Sequence, residues 1–184
     1  MPHDMSDPVS RYEGYVKEHN FVFVVYYRGH WCPFCMSYLR TLQSILPSIT
    51  AAGGKAIAVT AEPEQRLADT INATGYSGDV IVDTKNKIAA DLKQRINFNV
   101  AISSKSGYEL GMAQPAILVL KNDGTVLFDW AIVPGVMNLG GAKDRPDLNQ
   151  VWENVLARLN GQPLVHKKYT LQSIWSVVTQ KLFS

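Results

Sequence analysis

The chain has 184 residues, 46% of them hydrophobic, enough for one ordinary domain with a full core. Its formal charge of +2, with Lys and Arg scattered rather than clustered, leaves no footprint for nucleic acid. No run approaches the roughly 18–20 apolar residues of a membrane span, and Met1 to Ser10, with Pro2, Asp4, Asp7 and Pro8, does not predict a cleaved signal peptide.

In chain order, a polar lead-in with a short helix over Pro8 to Glu18 precedes Phe21 to Tyr27, a continuous aromatic and β-branched run. Such a run predicts a strand buried on both faces at the centre of an α/β sheet. Arg28-Gly29-His30-Trp31 breaks it. From Cys32 the pattern turns helical, with Met36, Leu39, Leu42, Ile45 and Leu46 recurring on one side. Pro33 suits the first turn, where its missing N–H costs nothing. Pro47 is expected to kink or shorten this helix, and Ala52-Gly53-Gly54 to end it.

Ala56 to Thr60 predicts a second buried strand, Glu62 to Thr74 a helix, Val80 to Asp83 a short strand and Asn86 to Arg95 a further helix. This alternation implies parallel pairing through crossover helices. Ala116 to Leu120 and Thr125 to Trp130 then flank Lys121-Asn122-Asp123-Gly124 as an antiparallel hairpin. Val136 to Pro146 reads as a glycine-rich loop whose stretch Asn138 to Pro146 is a surface loop sooner than a lining of the site's mouth, and Leu148 to Leu159 as a helix closed by Asn160-Gly161. The expected organisation is one domain over 1–161 and an amphipathic C-terminal tail over 162–184, with Leu171, Ile174, Trp175, Val178 and Leu182 along one side.

The chain has only two cysteines, Cys32 and Cys35, in one C-x-x-C. A pair this close bridges almost no loop, so it adds little stability by restricting the unfolded chain. A redox role in a reducing, cytoplasmic compartment fits better than stapling. Zinc would require a second pair of ligands, and His3, His19, His30 and His166 show no matching spacing, so no metal is expected. Two buried, inert thiols are the bland alternative.

At a strand-to-helix junction, the unpaired N–H groups of the helix face the Cys32 sulfur, and Arg28 and protonated His30 would add charge. These effects predict a lowered pKa for Cys32, the nucleophile, with Cys35 as resolving thiol one turn further on.

The stretch Tyr26-Tyr27-Arg28-Gly29-His30-Trp31-Cys32-Pro33-Phe34-Cys35, with the helix and the later hairpin, resembles the thioredoxin-like superfamily. More narrowly, it resembles its peroxiredoxin-like branch, the alkyl hydroperoxide reductase and thiol-specific antioxidant group. The resemblance spans roughly Phe21 to Trp130 and implies a thioredoxin-like α/β fold, a central mixed sheet flanked by helices. Gln114-Pro115 resembles the place where thioredoxin-like proteins carry a cis proline beside the cysteines, which helps to bind substrate. The chain departs from the family pattern in two ways. Gly29 lies three residues before Cys32, without the family's upstream threonine or serine. Gln114 stands about where a later-strand arginine would reach the cysteine.

The resemblance implies an antioxidant oxidoreductase, with thiol-dependent reduction of a peroxide through a Cys32–Cys35 dithiol/disulfide cycle. An external thioredoxin or glutathione system would restore the thiols, with no cofactor on the chain. Arg28, Trp31, Pro33, Gln114 and Pro115 are the candidate substrate-binding or activating residues. A general or glutathione-linked disulfide reductase and a non-catalytic binding module are the alternatives. If the apolar side of the tail is not covered within the monomer, a homodimer is its natural outlet; no nucleic-acid or membrane partner is expected.

Overall fold

The computed structural model describes residues 7–172. The first helix, α1 (Pro8–Glu18), is capped by the Asp7 carboxylate, which accepts the N–H of Ser10. It leads into β1 (Phe21–Tyr26), then α2 (Pro33–Ala51), β2 (Gly54–Thr60), α3 (Leu67–Thr74), β3 (Asp79–Val82) and α4 (Lys87–Ile96). A small β4 (Ile102–Ser103) and β5 (Met112–Ala113) pair with each other, and β6 (Ala116–Lys121), β7 (Val126–Ala131) and α5 (Leu148–Leu159) complete the described elements.

The main sheet runs β3-β2-β1-β6-β7. Strand β1 is parallel to β2, as β2 is to β3, whereas β6 is antiparallel to both β1 and β7. This is the mixed sheet the residues predict. Every residue of β1 is buried, because the strand alternates between two cores. Phe21, Phe23 and Val25 pack with Leu39, Leu42, Val151 and Trp152 of α2 and α5. Val22, Val24 and Tyr26 pack with Tyr12, Ile88 and Leu92 of α1 and α4.

Three local expectations are corrected. Helix α2 runs through Pro47 to Ala51 instead of stopping short, its long buried face outweighing the one lost hydrogen bond. The segment predicted as a helix from Glu62 opens with a 3-10 turn at Glu64–Arg66 and becomes α-helical only at Leu67. The Gln114–Pro115 bond is trans, as X-Pro bonds are by default, and no cis peptide occurs among the described residues.

Residues 162–172 lie against the domain: Asn154 of α5 donates to the carbonyl of His166 and the hydroxyl of Tyr169, and Leu171 pairs with Pro146. Of the tail residues predicted to form an apolar side, Ile174, Trp175, Val178 and Leu182 lie outside the described residues.

Register brings the site together. Tyr26, the last residue of β1, is level with Val59 of β2 and Ala116 of β6. The turn before α2 therefore emerges beside Gln114-Pro115, two segments nearly ninety residues apart in sequence.

Candidate active site

Cys32 is the cap of α2, and its sulfur accepts the Cys35 N–H at 3.4 Å. Pro33 occupies the first helical turn, where its fixed φ suits the helix and no N–H is lost. A turn from Gly29, closed by the Cys32 N–H on the Gly29 carbonyl at 3.1 Å, sets the entry. Gly29 is closely approached: a Cβ there would stand 2.5 Å from Tyr108 Oη and 2.6 Å from Glu62 Oε1, side-chain ends held by the Arg28 carbonyl and by the N–H and Nδ1 of His30. One turn along, the Cys35 sulfur lies 2.7 Å from that of Cys32, and both thiols are buried.

The charge beside them comes from a residue the sequence left in a surface loop. Arg145 is fully buried, and its Nη2 stands 3.4 Å from the Cys35 sulfur and 3.7 Å from that of Cys32. Its guanidinium also lies over the Tyr38 ring at 5.7 Å. The glycine-rich loop is thus a wall of the site. The one sequence signal was Arg145 next to Pro146 immediately before the Asp147 cap of α5, too weak without the fold.

Burial alone would raise the Cys35 thiol, but the hydrogen bond from Cys32, the Arg145 charge and the Arg28 N–H outweigh it and pull it down to about 5. Cys32 moves up, first because it gives its hydrogen bond to Cys35, then through burial and the neighbouring negative charge. The pair therefore loses one proton readily and holds the other. This corrects the expectation of a lowered pKa at Cys32: Cys35 collects the Arg28 N–H and the Arg145 guanidinium, each at 3.4 Å, whereas Arg145 stands 3.7 Å from Cys32.

Arg28 contributes through its backbone. Its side chain, also buried, donates through Nε and Nη2 to Gln114 Oε1, at 3.0 and 2.8 Å, and through Nη2 to the Gly140 carbonyl. Gln114 donates onward to Ser103 Oγ at 2.8 Å. Gln114 thus accepts from one arginine while another, Arg145, reaches the sulfurs. His30 is turned away from the pair: its N–H and Nδ1 contact the two carboxylate oxygens of buried Glu62 at 2.9 and 2.7 Å.

Trp31 is 41% exposed, donates to Tyr108 Oη at 3.0 Å and carries Lys105 Nζ over its ring at 4.5 Å. Tyr108 in turn donates to the Arg28 carbonyl at 2.7 Å. Pro115 is buried at the head of β6, its carbonyl taking the Ile132 N–H at 3.0 Å. Asp83 caps α4, accepting the N–H groups of Lys87 and Ile88 at 2.9 and 2.8 Å.

A thiol pair at a helix N-terminus, held beside a buried arginine at the end of a central strand, defines a thioredoxin-fold thiol oxidoreductase. Residues 7–128 match the AhpC/TSA family, and the chain belongs to that family. No curated protein matches it in sequence. Among solved structures it is similar to the peroxidoxin BcpB of Mycobacterium tuberculosis (TM-score 0.57, 13% identity, 79% of this chain and 82% of that one). A cysteine-to-serine variant of peroxiredoxin 6 from Arenicola marina superposes with TM-score 0.61 at 12% identity, over 82% of this chain and 66% of that one. The bacterioferritin comigratory protein of Xanthomonas campestris gives 0.55 at 14% identity, over 80% and 81%. Family membership makes the chain a thiol-dependent peroxidase-type oxidoreductase; neither the disulfide-reductase nor the binding-module reading is favoured.

Proposed function

We propose that Cys32 attacks the peroxide and Cys35 resolves. The observation that carries this is the pair of sulfurs 2.7 Å apart with a buried arginine beside both. Cys32 sits at the cap, next to exposed Trp31, whereas Cys35 lies one turn inside the helix. The proton that the pair retains rests on Cys32, and its transfer across the 2.7 Å contact to Cys35 makes Cys32 the attacking thiolate.

The Cys32 sulfur then forms a bond to the outer peroxide oxygen while the O–O bond breaks, and the leaving alkoxide takes up a proton as alcohol. Cys35 attacks the sulfenic acid, S–S forms, S–O breaks, and the hydroxide leaves with a proton as water. The peroxide gains two electrons and the dithiol becomes a disulfide. Because Cys32 is 1% exposed, the cycle includes a local opening of the turn before α2.

The alkyl peroxide reduction named for the similar Xanthomonas protein supports organic as well as hydrogen peroxides as substrates. A thioredoxin- or glutathione-type reductant would return the dithiol, a cycle suited to a reducing cytoplasm, and a homodimer is the assembly the family resemblance favours.

Stopped-flow oxidation of the reduced protein by hydrogen peroxide, by an alkyl hydroperoxide and by a small disulfide tests this reading. Peroxide is expected to yield a Cys32–Cys35 disulfide, Cys35→Ser to stop at a sulfenic acid on Cys32, and Cys32→Ser to react slowly. Oxidation by the disulfide alone would sink the peroxidase reading.

A further inference from the structure

Arg145 is fully buried beside both sulfurs, yet nothing within its own loop explains why it stays there. That loop has little regular structure, with Leu139, Gly140, Gly141 and Asp144 all at positive φ. Asn138 ties its first half together, accepting the N–H groups of Gly135 and Gly141 on its side chain and those of Ala142 and Lys143 on its carbonyl. Around Arg145 the backbone partners come from the end of the described chain. The Gln172 N–H donates to the Arg145 carbonyl at 2.8 Å, the Asp144 N–H to the Gln172 carbonyl at 3.4 Å, and the Asp147 N–H to the Thr170 carbonyl at 2.8 Å.

Leu171 forms an antiparallel bridge with Pro146, and Gln172 Nε2 reaches Ser37 Oγ of α2 at 3.1 Å, two residues from Cys35. A single strap therefore joins the arginine's backbone to the helix that carries the thiols. Tyr38, whose hydroxyl donates to the Pro146 carbonyl at 2.5 Å, braces the same point from α2.

We propose that residues 170–172 form a positioning strap that holds Arg145 against Cys32 and Cys35, so that the C-terminal segment sets how readily the thiol pair ionises. The proposal rests on the assignment of the pair as the reactive site, but concerns its ionisation rather than its turnover. The physical reason is cost. A buried guanidinium is unfavourable unless it is paired, and Nε and Nη1 of Arg145 have no hydrogen-bond partner among the described residues. Left untied, the loop would let the charge swing to water and leave the sulfurs without it. The other titratable or charged groups facing the pair and Arg145 are Tyr27 and Arg28 after β1, Tyr38 on α2 and Tyr108 before β5, with Asp147 at the start of α5 acting on Tyr38. None of these is on the strap.

The test is the pH profile of alkylation of the reduced full-length chain, with folding monitored by circular dichroism. Gln172→Pro removes the N–H given to Arg145, Gln172→Ala keeps it and removes only the Ser37 bond, and Arg145→Gln removes the charge. Gln172→Pro is expected to move the first thiol midpoint upward in the direction of Arg145→Gln, by about one to three pH units. Gln172→Ala is expected to move it less, and the Pro/Gln double variant no further than Arg145→Gln alone. A folded Gln172→Pro protein with the wild-type midpoint would overturn the strap, as would fully additive shifts in the double variant.

Should that variant not fold, the amide resonance of Gln172 in the wild-type protein decides. It is expected to titrate with the thiol midpoint, and a resonance that ignores the thiols overturns the proposal. Absence of peroxidase activity with a shifted midpoint would count against the proposed reaction and leave the strap standing.

Discussion

Arg145 keeps a positive charge in a buried place where, among the described residues, its hydrogen bonds go to the two sulfurs and its planar face to the Tyr38 ring. In the reduced protein the thiolate compensates that charge; in the disulfide the sulfurs are neutral and the charge is left uncompensated. The disulfide is therefore the less comfortable state for this arginine. Arg145→Met, similar in length and uncharged, is expected to make the Cys32–Cys35 disulfide harder to reduce. The shift is about 30 mV for each pKa unit by which the thiolate rises, read by equilibration with a dithiol buffer. An unchanged potential would mean that Arg145 does not stabilise the thiolate. At Gly29, where an added Cβ has no room between Tyr108 and Glu62, alanine is expected to cost about 1–3 kcal/mol in chemical denaturation. The turn into Cys32 would be disturbed with it.

At the scale of elements, two helices bring chemistry to the sulfurs. The N-terminus of α2 supplies a cap and an N–H, whereas α5 matters because Arg145 immediately precedes its Asp147 cap. Helix α5 is held to the sheet by Leu148, Val151, Val155 and Trp152, the last stacked on Phe21 at 6.0 Å, edge-on to Phe23 at 6.1 Å, and donating to Ser48 Oγ at 3.0 Å. Trp152→Ala is expected to cost about 3–5 kcal/mol, measured by urea denaturation. If the folded fraction also shows slower alkylation near neutral pH, α5 is tied to the site. Asp83→Ala, which strips two N–H partners from the start of α4, is expected to cost about 1–2 kcal/mol and to leave the thiols unchanged.

For the molecule as a whole, the thiol pair links stability to pH. Cys35 is pulled down to about 5 in the folded state, against about 8.5 for an unfolded cysteine. Between those values the unfolded chain binds one more proton than the native one, so the reduced protein gains stability as pH rises and loses it as pH falls toward 5. Above about 8.5 the relation reverses, because native Cys32, whose pKa is raised, keeps a proton that the unfolded chain has released. Denaturant midpoints of the reduced protein, compared with the disulfide form across this range, should show a maximum near pH 8.5 for the reduced form alone. Parallel profiles for both forms would remove the thiols from the account.

The alternation of apolar runs and turn residues was enough to predict the mixed sheet, its helices and the cysteine pair at a strand-to-helix junction. These rest on local periodicity and on chemistry carried by adjacent residues. Phe21 to Tyr26 reads as a doubly buried strand whatever surrounds it, and Cys32-Pro33 reads as a helix start. What locality could not show is which distant groups converge on the sulfurs. Arg145 comes from a loop more than a hundred residues later, in a segment whose glycines and charges resemble any solvated surface. Arg28, adjacent in sequence, turns its charge to Gln114 and gives only an N–H to Cys35. Pairing of β6 beside β1, and of residues 170–172 beside Arg145, decided both outcomes, because the side chain that neutralises a buried thiolate is chosen by tertiary proximity rather than by position along the chain.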